Sequence, residues 1–166
     1  EIIADEFVFA PLKLKNSFFA SLTNLSVLEQ NIVMATGYDD SGTAIPGKYP
    51  QVPDLAASGL WSTPNELIVI AEEFTKACNG ESALLQARSA LEMATPSDRF
   101  PWAGLGIFMD GENKLSISGW GENGQSRLKF NYRTGEAAVV MVNQNPGVEQ
   151  SESGVEWLIN NGSTVE

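Results

Sequence analysis

The hydrophobic positions between residues 61 and 93 recur every three to four residues, and this spacing predicts two helices. The first begins in WSTPNELIVIAEEF, where Thr63 is placed to cap the helix, Pro64 to open it and Glu66 to complete a capping box. Its apolar positions share one face: Leu67, Ile70, Ala71 and Phe74. Asn79-Gly80 ends this helix, and a second one is predicted from about Glu81 to Met93.

After Pro101 the apolar period changes from helical to two, which predicts strands. Four segments carry this pattern: AGLGIFMD, KLSISGW, SRLKFNYR and AAVVMVNQ. Because the connections between them are short, we expect neighbouring strands to run antiparallel as a meander. The fourth segment is apolar on both faces, which favours a central strand covered by helices on at least one side. A terminal helix is predicted in GVEWLINN.

These elements predict a single domain of the α+β class, an antiparallel meander of about four strands flanked by helices. We expect residues 1–96 to be mainly helices and loops, residues 102–145 to form the sheet and residues 150–161 to form the terminal helix. Near the start, FVFAPL is typical of the tail of a helix, which Pro11 should stop.

The 166-residue chain is strongly acidic, with 21 acidic and 10 basic residues and a formal charge of −11. Such a surface repels phosphate backbones, so nucleic acid is not an expected partner. The apolar runs are too short to cross a bilayer, and membrane insertion is not expected. No signal segment is recognisable, which leaves periplasmic, secreted and cytoplasmic locations open.

Four of the ten cations fall within 20 residues of each other: Lys114, Arg127, Lys129 and Arg133. This cluster could face an anionic ligand, but we favour the interpretation that it forms the solvated face of the meander. Cys78 is the only cysteine, and we interpret it as a packing residue because nothing near it in the sequence would lower its pKa.

Histidine is absent from the chain, which excludes Ser-His-Asp and Cys-His arrangements and zinc sites of the His/Cys type. No cofactor and no metal are predicted. One S-x-x-K string is present, from Ser126 to Lys129, but it falls in a predicted strand. Residues three apart in a strand point to opposite faces, so we interpret this string as accidental. The sequence gives no confident catalytic residue.

The stretch SISGWGENGQSRL, residues 116–128, places Gly119, Gly121 and Gly124 around Trp120. Glycines allow a backbone to approach a ligand closely, so this stretch is a candidate site. The alternative is that this stretch is a hairpin turn that only resembles a ligand-binding site.

The order of several stretches resembles the later part of serine β-lactamase-related proteins, a superfamily that includes class C β-lactamases, penicillin-binding DD-peptidases and related esterases. The similarity runs from about Phe9 to Leu158. Its most specific pieces are AASGLWSTPNEL, GWGENGQS and TGEAAVVMVNQ, supported by FAPLKLKNSFF, GYDDSG and GLGIFM. The resemblance implies a partial β-lactamase/transpeptidase-like fold, with an antiparallel sheet flanked by helices and a cleft beside it.

The family acts by acyl transfer through a serine ester. Its S-x-x-K and Y-x-N motifs precede the region that this chain resembles, and its third motif, K-[ST]-G or H-x-G, corresponds here to Ile117-Ser118-Gly119. The resemblance implies that these residues and Trp120 bind substrate, with the Trp120 N–H as an oxyanion donor. Ile117 replaces the cationic or imidazole member, which indicates a degenerate site. From the alternation along the strand, core packing is the favoured interpretation of Ile117.

Two functions therefore remain open. The chain is either the C-terminal portion of a serine hydrolase that acts on β-lactam, ester or D-amino-acid peptide substrates, or a non-catalytic module that binds a ligand or partner. On the first hypothesis, the nucleophile lies in an upstream segment, and this chain alone is expected to be inactive. Because the family sheet includes strands from its N-terminal segment, we expect self-association or pairing with an N-terminal companion segment.

Overall fold

A four-stranded antiparallel sheet lies at the centre of the structure, between helices on its two faces. The structure is a computed structural model that describes residues 2–19, 33–47 and 55–162. The sheet has the order β3-β4-β5-β6, and a separate two-stranded sheet pairs β1 with β2. The strands are β1 (Phe18–Phe19), β2 (Leu60–Trp61), β3 (Phe108–Met109), β4 (Lys114–Gly121), β5 (Gly124–Asn131) and β6 (Ala137–Val142).

Helices account for most of the remaining regular structure. Helix α1 covers residues 2–12, with a π-helical stretch Asp5–Phe9 between the α-helical turns Ile2–Ala4 and Ala10–Leu12. The others are α2 (Leu55–Ser58), α3 (Pro64–Cys78), α4 (Ala87–Met93) and α5 (Gly154–Asn161), which follows a 3₁₀ turn at Gln150–Glu152. Among the described residues, no helix has both the length and the apolar character that a membrane span requires.

Helix α3 forms where the cap and the apolar period predicted it. The Thr63 hydroxyl accepts a hydrogen bond from the Glu66 backbone N–H at 3.3 Å, and Pro64 is the first helical residue. On the inner face Ala71 is buried among side chains of the sheet, and Phe74 makes an edge-to-face contact with Phe130 of β5 at a centroid distance of 5.8 Å. One face of the sheet is thus covered by α3.

The hydrophobic core lies between α3 and the middle of the sheet. Its buried members are Ala71, Ala94, Ile107, Leu115, Leu128 and Phe130. A smaller cluster joins α3 to α4 through Ala77, Ala90 and Cys78. Cys78 is buried there as a free thiol, and burial raises its pKa, in agreement with a packing role.

The first predicted strand is much shorter than its apolar pattern, because only Phe108 and Met109 pair with β4. The preceding residues turn instead: the Gly104 N–H donates to the Ile107 carbonyl at 2.8 Å, and Gly106 has a φ of +73°. This φ favours glycine and is incompatible with an extended strand. Gly104 also lies against the end of α4, where an added Cβ would come within 2.0 Å of the Met93 carbonyl oxygen.

The predicted start of the second helix at Glu81 is wrong, since α4 begins only at Ala87. The Ser82 hydroxyl accepts hydrogen bonds from the backbone N–H groups of Leu84 and Leu85, at 2.9 and 3.1 Å, and donates to the Glu73 carboxylate at 2.6 Å. A serine side chain that binds nearby backbone N–H groups competes with helical hydrogen bonding. Helix formation is therefore delayed until after Ser82.

The prediction that the fourth strand is central is also wrong, because β6 is the last strand of the described sheet. Its apolar pattern has a different cause: β6 packs against α3 on one side and α5 on the other. A strand that is covered on both faces needs apolar residues on both, wherever it lies in the sheet. Beyond Val142 the chain pairs with residues 36–38, since the Tyr38 N–H donates to the Asn143 carbonyl at 2.9 Å.

Glu66 joins the N-terminal segment to α3 rather than closing a capping box. Its carboxylate accepts hydrogen bonds from the backbone N–H groups of Lys15 and Asn16, at 2.8 and 2.9 Å, and from the Ser17 hydroxyl at 2.6 Å. Desolvation opposes ionisation, but the hydrogen bonds from Ser17, Asn16 and Lys15 outweigh it and hold the pKa of Glu66 below its ordinary value. One carboxylate thus fixes the chain between α1 and β1.

Replacing this carboxylate (Glu66→Gln) is expected to lower the free energy of unfolding by about 1–2 kcal/mol at neutral pH, because a neutral amide accepts these hydrogen bonds less strongly. The folded-state pKa lies below the ordinary value of 4.5, so the carboxylate's contribution is complete above that value and is lost as the pH falls through the folded pKa. Urea unfolding at neutral pH and at about pH 3 measures the difference, which should shrink in acid.

Glu72→Gln, at an exposed position of the same helix, provides the matched control and should change little at either pH. A deficit in Glu66→Gln that is equally large at both pH values would contradict this explanation.

Candidate functional site

A cavity of about 1080 Å³ lies beside the hairpin that connects β4 to β5. The hairpin and the segment from Ser58 to Pro64 both line it, together with Asn16, Phe18, residues 33–35 and residues 141–143. The described side chains in these walls include aromatic, apolar and amide groups: Phe18, Trp61, Trp120, Met141, Asn16, Asn123 and Asn143. This concave surface borders the predicted site stretch, and it is of a size that holds small molecules.

The glycines of the hairpin serve close packing rather than unusual backbone angles. Gly119 pairs with Ser126, and a Cβ at Gly119 would lie 2.5 Å from the Ser126 hydroxyl oxygen. A Cβ at Gly124 would lie 2.2 Å from the Val142 carbonyl oxygen, so glycine is required where β6 approaches β5. Both residues line the cavity. The site and turn interpretations of this stretch are therefore compatible, since a two-residue hairpin turn forms one wall of the cavity.

Ile117 lies outside the hydrophobic core, and the expectation of core packing is wrong for it. Its side chain is 44% exposed, whereas Leu115, two residues earlier on the same face, is fully buried. The difference arises because β3 pairs with β4 only at Leu115 and Ser116. Beyond that point Ile117 has Leu128 of β5 on one side and no described strand on the other. The cavity lining includes Gly119 and Trp120 but not Ile117 or Ser118.

Ser118 points to the opposite face of the sheet, where its hydroxyl accepts a hydrogen bond from Nη1 of Arg127. Arg127 is its cross-strand partner on β5, and the Arg127 Nε lies 3.5 Å from the Glu156 carboxylate of α5. Strand β4 is therefore joined to the terminal helix through one guanidinium group. The Ser118 hydroxyl therefore contacts Arg127 on one face of the sheet, and Gly119 and Ser126 belong to the opposite face.

Lys129 completes a charge cluster on this far face. Its ammonium group lies 2.9 Å from the Glu156 carboxylate, 3.0 Å from the Asn160 side-chain oxygen and 3.5 Å from the Asp110 carboxylate. The prediction of a solvated face is therefore wrong for Arg127 and Lys129. Both side chains pair with Glu156 and so hold α5 on the sheet. Desolvation opposes ionisation of Glu156, but hydrogen bonds from Lys129 and Asn160 outweigh it and keep its pKa below the ordinary value.

The same geometry separates the two ends of the S-x-x-K string. Lys129 lies on the α5 side, whereas Ser126 pairs with Gly119 and lines the cavity on the other side. The string lies in strand β5, where residues three apart point to opposite faces, so Lys129 cannot serve Ser126 as a base. The interpretation of the string as accidental is therefore confirmed.

Gln150 is a site residue that sequence reasoning missed. Its side-chain amide donates to the Ser126 carbonyl at 2.8 Å and to the Gly119 carbonyl at 3.2 Å, so it bridges β4 and β5 behind the cavity. It belongs to no motif and lies 24 residues from Ser126 in the chain. Only the return of the terminal segment across the sheet brings it to this position.

Trp120 lies at the mouth of the cavity with a mostly exposed ring, and its indole N–H donates to the Asn145 side-chain oxygen at 3.3 Å. Two tyrosines of the sequence, Tyr38 and Tyr49, are further aromatic candidates for lining a cleft, although the sequence gives them no partner. Tyr38 pairs through its backbone with residues 143–145. Tyr49 lies outside the described residues.

Solved proteins of the penicillin-binding and hydrolase type share this fold. A penicillin-binding protein homologue from Pyrococcus abyssi matches 89% of this chain and 35% of its own, with a TM-score of 0.66 and 19% identity. A D-stereospecific amidohydrolase from Streptomyces sp. matches 96% of this chain and 48% of its own, with a TM-score of 0.67 and 16% identity. A penicillin-binding protein from Bacillus halodurans matches 85% of this chain and 43% of its own, with a TM-score of 0.60 and 18% identity.

No protein-family model and no curated protein matches the sequence. The structural similarity nevertheless confirms the predicted α+β class, and the chain has the fold of these penicillin-binding and amidohydrolase proteins. The chain spans 35 to 48% of the length of these three proteins.

Replacing the carboxylate that holds α5 (Glu156→Gln) is expected to loosen both α5 and β4, because Lys129 and Arg127 lose their shared anion. Amide hydrogen exchange in α5 and in residues 117–120 should become faster by about tenfold, which corresponds to roughly 1.4 kcal/mol of local opening free energy. Glu112→Gln, at an exposed turn position, is the control. Unchanged exchange in residues 117–120 would show that the ion pairs do not position that strand.

Proposed function

We propose that this chain is the C-terminal portion of a β-lactamase-like serine hydrolase and supplies one wall of its acyl-transfer site. The substrates would be β-lactams, esters or peptides of D-amino acids. The observation that carries the proposal is that Gly119 and Trp120 line the cavity. The resemblance in sequence assigns these residues to the family's third-motif strand. The backbone of β4 between Ile117 and Gly121 has β5 on one side and no described strand on the other, so it can meet an extended substrate.

In this proposal the chain binds and orients the substrate while another segment performs the covalent step. A serine hydroxyl of that segment attacks the substrate carbonyl and gives its proton to a base, and backbone N–H donors that include Trp120 stabilise the tetrahedral oxyanion. Collapse of this intermediate breaks the bond to the substrate's amine or alcohol, which takes up the proton, and leaves an acyl-serine. Water then hydrolyses the acyl-serine to a carboxylic acid and free serine. The only S-x-x-K string, with Ser126 and Lys129 on opposite faces, cannot supply the nucleophile and its base. The nucleophile is therefore assigned to a segment outside residues 1–166.

A non-catalytic binding module is the second candidate function, and Ile117 favours it. An alkyl side chain can neither transfer a proton nor attract an anion, and this one is exposed at the position of the family's cationic or imidazole group. A site that lacks this group retains its shape and its backbone donors but loses part of its transition-state stabilisation.

A serine-reactive fluorophosphonate probe, applied to the native polypeptide from its source cells, separates the two candidates. The hydrolase proposal predicts labelling of a species larger than 17.9 kDa, at a serine outside residues 1–166. Peptide mapping of the labelled protein identifies that serine, and heat-denatured extract provides the control. A native species of 17.9 kDa that takes up no label would contradict the hydrolase proposal and support a binding module.

The exposed apolar surface supports a further proposal about partners. Ile2, Ile3 and Phe7 of α1 are each more than half exposed, and β6 has no strand beyond it in the described sheet. Apolar helix faces and open strand edges favour association. We therefore propose that the isolated chain self-associates or binds a companion segment. Sedimentation at micromolar concentrations should detect species above 17.9 kDa, and a strictly monomeric chain would contradict this proposal.

A further inference from the structure

Ser126 is a polar residue of the central sheet that lines the cavity. Ser126 pairs with Gly119 across the β4–β5 ladder, and both residues line the cavity. Since a Cβ at Gly119 would lie 2.5 Å from the Ser126 Oγ, the hydroxyl occupies the space that a side chain at residue 119 would fill. Glycine at 119 therefore leaves room for this hydroxyl in its present orientation.

Unlike its polar neighbours, this hydroxyl has no hydrogen-bond partner among the described residues. On the far face of the same two strands, Ser118 accepts from Arg127, and Lys129 is surrounded by acceptors. A hydroxyl that is left free at the wall of a concave site can donate to or accept from a ligand without first breaking a bond within the protein.

The backbone beneath Ser126 is held in place from behind. The Gln150 amide binds the carbonyl oxygens of both Ser126 and Gly119, at 2.8 and 3.2 Å. The backbone that carries this hydroxyl is therefore held by a side chain from the terminal segment, so that little backbone ordering is required when a ligand binds.

The charge around the cavity indicates which ligands it favours. Glu122 is the charged side chain among the described lining residues, and it lies at the turn of the hairpin. Ile117 is on the same face of β4 as Gly119 but outside the cavity lining, and it presents an exposed alkyl group. A carboxylate placed beside this strand would meet the negative charge of Glu122 together with apolar surface, whereas an uncharged amide would not be repelled.

We infer that Ser126 is a ligand-binding residue of this cavity and that the site takes acyl compounds whose group beside the acyl carbon is an uncharged amide or ester rather than a carboxylate. The inference rests on the proposed function in so far as it assumes that the cavity binds acyl compounds. Ser126 hydrogen-bonds the ligand, Gly119 provides the space, and Gln150 fixes the strand pair.

The test uses two probes that differ only in this group: N-acetyl-D-alaninamide, which is neutral, and N-acetyl-D-alanine, which is a carboxylate at neutral pH. Each is titrated into the isotope-labelled full chain, and dissociation constants are taken from the NMR shifts of the Gly119 and Gly124 amides. The amide should bind at least about fivefold more tightly. Ser126→Ala should weaken its binding by about two- to tenfold, as expected for one hydrogen bond. Ser89→Ala, an exposed serine on α4, is the matched control.

Gly119→Ala provides a second variant, because its methyl group forces the Ser126 hydroxyl into another rotamer without removing it. It should weaken amide binding as much as Ser126→Ala, and the double variant should lose no more than either single one. Four results would overturn the inference. The losses of affinity in the two single variants could add in the double variant, or Ser126→Ala could bind the amide as tightly as the unaltered chain does. The carboxylate could bind more tightly than the amide, or neither probe could bind. The hydrolase proposal is decided separately by fluorophosphonate labelling, so the failure of one is distinguishable from the failure of the other.

Discussion

The antiparallel pairing of β4 with β5 is the constraint on which the rest of the structure depends. It runs without a break from Lys114 opposite Asn131 to Gly121 opposite Gly124. Because side chains alternate along each strand, this register decides which of them enter the core, which face α5 and which reach the cavity. A shift of one residue would bring Lys129 to the core face and would turn Ser126 away from the cavity.

The two faces of this strand pair are stabilised by different interactions. On the α3 side, Leu115, Leu128 and Phe130 are removed from water, and such burial is the main favourable term in folding. On the α5 side, Glu156 pairs with both Arg127 and Lys129, and Asp110 also lies beside Lys129; both cations are largely shielded from solvent. Charges in such a place must be paired, because an isolated buried charge is costly. The cations therefore serve to attach the terminal helix.

The cavity borders the part of β4 that lies beyond the core packing. Core packing stops at Leu115 because β3 is only two residues long, and beyond it β4 continues with one strand neighbour. The outer half of β4 is thus supported from behind by α5 and Gln150 and is open toward the cavity. A rigid strand with an open edge is suited to hold a substrate in a fixed geometry. This arrangement suits either a wall of an acyl-transfer site or a binding surface alone.

The sequence by itself determined the features whose causes lie within a few residues: the cap and period of α3, the short hairpins of the sheet, and the separation of Ser126 from Lys129. It also carried the resemblance that named the fold and located Gly119 and Trp120 beside the cleft. The tertiary structure alone decided the exposure of Ile117, the edge position of β6 and the role of Gln150. Glu66 illustrates the reason, since its carboxylate binds a backbone 50 residues away and not its own helix. Contacts between distant segments leave no local pattern in a single sequence, so only the folded chain reveals them.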